Sequence, residues 1–182
     1  SSTTSFVMAD AAVEITATYE ATLYLLTVNG GAASIDDAPV TEASIADIVT
    51  LVADTPPAGK AFKEWVIVSG EGTITDPTAT TTTLTGVFSD IEIEAAYEDA
   101  IYTITVTDGT ANVESAKMGA EITITAAEAA KGYQFAGWTV VSGGVTLANP
   151  ANATTTFTVV SANVEVKANY APIEYTIEVT NG

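Results

Sequence analysis

The sequence predicts a mainly β protein built from tandem small β-rich modules with little helix. Three observations predict it: a long internal repeat, short stretches of alternating apolar and polar residues, and turn pairs at fixed places between them. Residues 60–97 return as residues 133–170, and Trp65 and Trp138 correspond at an offset of 73 residues. Self-similarity at a fixed period indicates a row of equivalent structural units.

The first element of each unit is an alternating strand. In residues 101–107 the apolar side chains share one face and the threonines share the other, which is typical of a half-buried strand. The pattern recurs in residues 24–28 and in residues 175–179, where Tyr175, Ile177 and Val179 form the apolar row. A turn pair such as Asp108-Gly109 follows each copy.

Two more strands follow in each unit. Residues 121–126 alternate and match residues 47–53, so we predict a strand in both, although the earlier segment also fits a short amphipathic helix. Residues 126–131 fit a helical turn. The next strand carries a Phe and a Trp three residues apart, and a turn rich in serine and glycine ends it.

The last strand of each unit alternates and ends in a tyrosine, namely Tyr19, Tyr97 or Tyr170. These strands divide the chain into four parts. We predict the C-terminal part of a preceding repeat in 1–20, a full repeat in 21–99, a second full repeat in 100–171 and the first strand of a following repeat in 172–182. Because the junctions are short, the modules should form a fairly stiff row.

Composition excludes several classes of function. The chain has five lysines, no arginine, no histidine and 23 acidic residues, giving a formal net charge of −18. This charge balance disfavours binding to nucleic acid and to anionic lipid, because both kinds of binding need cationic side chains. There is no cysteine and no apolar run long enough to cross a bilayer, so we expect neither disulfides nor membrane insertion.

The unit resembles the internalin-B-type B-repeat in its divergent form, a bacterial repeat domain. The resemblance rests on Gly-Tyr-Gln-Phe-Ala-Gly-Trp at 132–138 and on the alternating strand ending in Tyr some thirty residues later, and it covers nearly the whole chain. The first module departs from the pattern, since Lys63-Glu64 replaces Ala136-Gly137 and five extra residues precede Phe62. The resemblance implies compact β-grasp-like or β-sandwich-like modules in exported bacterial surface proteins, with no enzymatic activity and no cofactor.

The repeated aromatic residues allow two interpretations. Aromatic faces can bind sugars, but a Trp at a fixed place beside Phe in a repeating strand is more typical of a core. The strand-end tyrosines are expected to be core residues with a hydrated hydroxyl. The predicted core anchors are Phe62, Trp65, Tyr97, Phe135, Trp138 and Tyr170.

The remaining polar residues suggest no reaction. The acidic stretch containing Asp36, Asp37, Glu42 and Asp47 lacks the spacing of a calcium loop, so a solvated loop is the preferred interpretation. Serine without histidine cannot form a Ser-His triad. We therefore predict no catalytic residue, no metal site and no cofactor.

The partial modules at the two ends predict assembly. Their apolar rows comprise Phe6, Val13, Ile15 and Tyr19 at one end and Tyr175, Ile177 and Val179 at the other. These rows could be covered within the chain, or the C-terminal strand of one copy could pair with the N-terminal strands of the next. We expect an extracellular or surface structural module whose partners are adjacent repeats or copies of itself. A module that binds a glycan or a host protein is the alternative.

Overall fold

The computed structural model describes residue 5, residue 14 and residues 16–179, and within these it consists of strands, turns and irregular segments. The strands are β1 (Tyr24–Asn29), β2 (Gly31–Ile35), β3 (Ala38–Pro39), β4 (Glu42–Ala43), β5 (Val49–Ala53), β6 (Lys60–Ser69), β7 (Thr73–Ile74), β8 (Thr81–Thr85), β9 (Ile91–Asp99), β10 (Ile101–Thr107), β11 (Gly109–Ala111), β12 (Ser115–Lys117), β13 (Glu121–Ala126), β14 (Tyr133–Ser142), β15 (Thr154–Thr158) and β16 (Val164–Pro172). The predicted fold class is confirmed. No helix in the described residues could span a membrane.

The first repeat, β1–β9, places its first and last strands side by side at the centre of one sheet. The strand order is β4-β1-β9-β6, and β1 runs parallel to β9 with Leu26 opposite Ile91 and Val28 opposite Ile93. The two outer strands pair antiparallel. A parallel pair needs a long connection, and here that connection supplies the other sheet of the repeat.

The second sheet of the first repeat has the order β3-β2-β5-β8-β7. Its inward residues and those of the first sheet form one core, in which Leu51, Leu84 and Ile93 are fully buried. The alternation recognised in the sequence therefore places apolar rows of two sheets against each other, which is a sandwich-like arrangement.

The second repeat, β10–β16, has the same architecture. Its sheets have the orders β12-β10-β16-β14 and β11-β13-β15. β10 is parallel to β16, with Ile104 opposite Val164 and Val106 opposite Val166. Ile122, Ile124 and Val166 are at the centre of a separate core. Each repeat therefore has a complete core of its own.

The five extra residues of the first repeat form a hairpin that the second repeat lacks. β2 pairs with β3 across Asp36 and Asp37, and both aspartates have positive φ, 48° and 63°. Two consecutive positive φ angles are characteristic of a type I′ turn, which matches the twist of the strands it joins. The acidic pair is therefore a structural turn, and the insertion extends one edge of the sheet.

One expectation about local structure is wrong, that of a helical turn in residues 126–131. Residues 127–130 have no helical turn, because the backbone N–H of Ala127 is bonded to the carbonyl of Asp108 instead. Residues 174–179 form no strand, and residues 16–20 form none either. Both segments lack a partner strand within the described chain, and an isolated strand is marginal in water.

Candidate assembly site at the junction of the repeats

An aromatic cluster anchors the core of each repeat. Trp65 and Trp138 are only 2% and 7% exposed. Phe62 contacts Trp65 edge-to-face with ring centroids 5.9 Å apart, and Phe135 contacts Trp138 in the same way at 5.8 Å. Tyr97 and Tyr170 extend these clusters from the paired strand. The indole faces are therefore packed inside the protein, where a sugar could not reach them.

The hydroxyls of Tyr97 and Tyr170 bond to backbone carbonyls. The Tyr97 hydroxyl lies 3.0 Å from the Gly30 carbonyl and 3.2 Å from the Asp54 carbonyl, and it can donate its proton to either. The Tyr170 hydroxyl has the equivalent pair, the carbonyls of Asp108 and Ala127. Each tyrosine thus ties its own sheet to two turns of the facing sheet.

One glycine in each repeat makes room for the indole. A Cβ added at Gly31 would lie 2.5 Å from Trp65 Cη2, and one at Gly109 would lie 2.7 Å from Trp138 Cη2. Gly31 and Gly109 begin β2 and β11, immediately after the turn from the first strand. Sequence reasoning treated Gly109 only as a turn residue and missed this packing role in both repeats.

The two repeats meet with almost no linker. β9 ends at Asp99 and β10 begins at Ile101, so only Ala100 separates them. The Ala100 N–H donates to the Gly59 carbonyl at 2.9 Å. The chain therefore leaves the first repeat and enters the second through a peptide held by a hydrogen bond.

Charged side chains link the repeats across this junction. Lys60 Nζ of the first repeat lies 2.6 Å from Asp99 Oδ1, and Lys117 Nζ of the second repeat lies 2.9 Å from Asp99 Oδ2. We call Lys60, Asp99 and Lys117 the junction clamp. Each carboxylate oxygen accepts from a lysine of a different repeat, so the clamp constrains how one repeat is oriented on the other.

The clamp also shifts the pKa of Asp99 and of Lys117. Hydrogen bonds from Lys60 and Lys117, together with their positive charges, lower the pKa of Asp99 from 3.8 to about 2. The hydrogen bond and charge of Asp99 raise the pKa of Lys117. Asp99 and Lys117 are therefore both charged at neutral pH. Because all three side chains are partly exposed to water, it acts mainly on orientation and adds little to overall stability.

An apolar contact lies beside the clamp. The β12–β13 turn of the second repeat places Met118 against Gly59 of the first, so closely that a Cβ at Gly59 would lie 2.9 Å from the Met118 sulfur. Gly59 has a φ of 75°, which also favours glycine. A flexible thioether can follow the shape of such a backbone surface.

The residues predicted for assembly are not brought together in the described chain. Phe6, Val13 and Ile15 lie outside the described residues. Tyr19 is 91% exposed, and the side chains of Tyr175, Ile177 and Val179 are exposed by 77%, 85% and 82%. Two explanations were given for how these apolar rows are covered. The first, strand pairing within the chain, does not occur for the described residues 16–20 and 174–179.

Two open hollows lie on the second repeat. One, of about 320 Å³, is lined by Asp108, Ala127, Glu128, Ala130, Tyr133 and Tyr170. The other, of about 400 Å³, lies along β10 and β11 and is lined mainly by threonine and small residues. No group of three or more acidic residues that could hold a metal ion occurs in the described residues.

Comparison with known proteins agrees with the internal repeat. The family model of the divergent InlB B-repeat domain matches residues 24–101 and again residues 102–174. No curated protein and no solved structure matches the chain.

Proposed function

Because this chain belongs to the divergent InlB B-repeat domain family, with two tandem copies, we propose that it is a rigid structural segment of a bacterial surface or extracellular protein. Such a segment would act as part of a stalk or filament that spaces or displays another region. The family is typical of bacterial surface and extracellular proteins, which supports the location.

The observation that carries this proposal is the clamped junction. A one-residue linker allows little bending even without contacts, and here Asp99 also holds a lysine from each repeat. Complete cores on both sides of the junction mean that each repeat is a rigid body by itself. A row of such bodies keeps its length under load, which is what a spacer requires.

The charge of the chain supports the same role. A net charge of −18 on 182 residues makes the surface repel other copies laterally. Contact is then favoured at the ends of the row, where the side chains of Tyr175, Ile177 and Val179 are exposed. A long acidic rod that does not aggregate sideways is suited to the exterior of a cell.

Strand pairing between copies is the way in which this segment would extend. In both repeats the first strand lies parallel to the last strand of the same repeat. Transferring that register to the chain ends would place Ile177 of one copy opposite Val13 of the next, and Val179 opposite Ile15. This is β-strand addition, and a head-to-tail contact that does not close produces a filament.

Deletion of residues 174–182 tests this mode of extension. We expect the full chain to form polymers at high concentration, detected by light scattering and electron microscopy, and the shortened chain to form none by strand pairing. Residues 174–179 form no strand pair within the described chain, so their removal leaves both cores intact. Tyr175→Thr, Ile177→Thr and Val179→Thr combined in the full-length chain provide a matched variant. Equal polymerisation of all three proteins would rule out strand pairing.

A ligand-binding module is a second candidate, favoured by the smaller hollow. Tyr133 is exposed at its edge, and the carboxylates of Asp108 and Glu128 could accept hydrogen bonds from sugar hydroxyls. A glycan array with the wild-type protein and Tyr133→Ala tests it. Binding that is lost in Tyr133→Ala would favour this candidate, and the absence of any binding would remove it.

A further inference from the structure

The first repeat covers one edge of its sandwich that the second repeat leaves open. In the first repeat the inserted hairpin brings Val40 back beside β2, where the Val40 N–H donates to the Ala33 carbonyl at 3.2 Å. The side chains of Ile35 and Val40 pack against the core of that repeat. The first repeat therefore supplies its own extended segment and two β-branched side chains at this edge.

The second repeat has no such segment at the same edge. Ala111 takes the place of Ala33, and Val113 takes that of Val40. Only Asn112 separates Ala111 from Val113, so there is no hairpin. Val113 is 40% exposed and, among the described residues, does not belong to the side chains packed against the second core. Both Ala111 and Val113 line the hollow of about 400 Å³ along β10 and β11, so this hollow marks the uncovered edge.

A backbone donor of β10 faces the hollow from one sheet. The Ile104 N–H donates to the Glu114 carbonyl at 2.8 Å, which shows that the Ile104 N–H points to the β12 edge. Because N–H groups alternate between the two edges of a strand, the Val106 N–H points to the same edge. β12 pairs with β10 only over residues 101–103, so within the described chain no strand reaches Val106 on that side.

A backbone acceptor of β11 faces the hollow from the other sheet. The Asn112 N–H donates to the Thr123 carbonyl of β13 at 3.0 Å. The C=O and N–H of one peptide unit point in opposite directions, so the Ala111 carbonyl points away from β13. The equivalent carbonyl of Ala33 accepts from Val40 in the first repeat. In the described part of the chain β11 pairs only with β13, which leaves the Ala111 carbonyl available to an added strand.

The charge at this edge indicates which kind of segment fits. Among the described residues that line the hollow, only Glu114 is charged. Glu114 is exposed and belongs to none of the salt bridges of the described residues. Thr41 holds its position in the first repeat, where the hairpin covers the edge. A free carboxylate here attracts a cationic segment, and it repels another copy of a chain whose net charge is −18.

We propose that this edge of the second repeat binds an extended, lysine- or arginine-bearing segment of another protein by β-strand addition. The added segment donates an N–H to the Ala111 carbonyl, and the Val106 N–H is the donor for one of its carbonyls. A valine or isoleucine of the segment fills the hollow, and its cation pairs with Glu114. The site lies in the middle of the chain, so it adds a lateral docking site to the proposed spacer and does not depend on how the row extends.

Titration of the isotope-labelled full chain with a synthetic peptide, followed by nuclear magnetic resonance, tests the site. The peptide alternates valine and threonine between terminal lysines, and physiological salt screens its long-range attraction to the acidic chain. We expect saturating shifts of the amide signals of Val106 and Ala111 and none for Val28 and Ala33, the matched positions of the covered edge. Equal shifts at both edges, or none at either, would overturn the inference.

Two controls test the mode of binding and the occupant. The same peptide methylated at its peptide nitrogens has lost its N–H donors, so it should not bind. Equal binding of the methylated peptide would rule out strand addition. Shifts of Val106 and Ala111 that appear on raising the protein concentration without peptide would identify a second copy as the occupant and would also contradict the proposal.

A graft that copies the covered edge into the second repeat provides a matched variant. Replacing Asn112 by the sequence of residues 34–39 gives the second repeat the hairpin of the first, and it should abolish peptide binding. The graft adds two aspartates, so the loss of a cationic peptide could not be attributed to charge. Undiminished binding by the grafted chain would contradict the proposal.

A single substitution tests the ion pair without changing the backbone. Glu114→Gln should weaken peptide binding about fivefold, the value of one exposed ion pair. Glu121→Gln is the control, because Glu121 is an exposed carboxylate of the same repeat outside the lining of the hollow. Equal affinities of the two variants for the peptide would show that Glu114 does not select the cationic segment and would overturn that part of the inference.

Discussion

The two repeats share a topology but differ in how they bury the indole nitrogen. Trp138 Nε1 donates to the Asn152 carbonyl at 3.1 Å, whereas Trp65 Nε1 is buried and has no hydrogen-bond partner among the described residues. The backbone N–H of each Trp is bonded identically, to the carbonyl of Pro77 or Pro150. The repeat therefore conserves the shape of the aromatic core more strictly than its polar contacts.

This difference shows which interaction holds the indole of the first repeat in place. An unpaired buried donor costs roughly 1–3 kcal/mol, yet the first repeat retains its Trp. The apolar packing of the ring against Phe62 and Gly31 must therefore outweigh the unsatisfied group. Substitutions that disturb the packing of the indole should lower the free energy of unfolding of both repeats alike. Substitutions that remove the indole N–H should lower it by different amounts in the two repeats.

The largest effect is expected from filling the space beside the indole. Gly31→Ala would place a Cβ 2.6 Å from the Val52 carbonyl oxygen, and Gly109→Ala would place one 2.7 Å from that of Thr125. Overpacking of this kind costs about 1–3 kcal/mol, so both variants should unfold at lower denaturant concentration. Thr110→Ala, at an exposed position, is the control. Wild-type stability in either variant would show that the glycine does not set the packing.

A smaller effect should distinguish the repeats. Trp138→Phe loses a hydrogen bond and leaves the Asn152 carbonyl without its indole donor, whereas Trp65→Phe removes a donor that has no partner in the described part of the chain. We expect Trp138→Phe to lose about 1 kcal/mol more of its unfolding free energy than Trp65→Phe. Chemical denaturation of the two variants measures this difference. Equal losses, or a larger loss for Trp65→Phe, would contradict the account.

The smallest effect is expected at the junction and depends on pH. The pKa of Asp99 is lowered to about 2, so its bonds to the lysines are complete above its ordinary value of 3.8 and weaken as pH falls toward 2. The difference in melting temperature between wild type and Asp99→Asn should therefore be constant from pH 7 to about pH 4 and shrink below it. Comparing the two proteins cancels the titration of the other carboxylates. A difference that stays constant down to pH 2 would show that Asp99 is not bound as described.

The sequence predicted those parts of the fold that depend on local pattern. The alternation of apolar and polar residues correctly placed Ile104 and Val166 on inward faces, and the repeated Phe and Trp correctly marked the core. These predictions succeeded because the alternation within a single strand shows which of its side chains are buried. The parallel pairing of first and last strands was not foreseen, since it depends on how distant segments meet.

The junction was missed for a related reason. Lys60 and Lys117 are far apart in the sequence, and only the folded orientation of two modules brings them to Asp99. The terminal segments were predicted to be strands from the same pattern as β10, but pattern alone does not form a strand without a partner.

The distance between the two repeats in solution tests the central claim of a rigid row most directly. Spin labels at Val68→Cys and Val141→Cys, exposed and equivalent positions of the two repeats, report that distance by pulsed electron paramagnetic resonance. We predict one narrow distribution at neutral pH, broadened by Asp99→Ala but unchanged by the control Asp90→Asn, which installs the residue found at the equivalent position 163. A broad distribution in the wild-type chain, no wider in Asp99→Ala, would show that the repeats are hinged and would contradict the account.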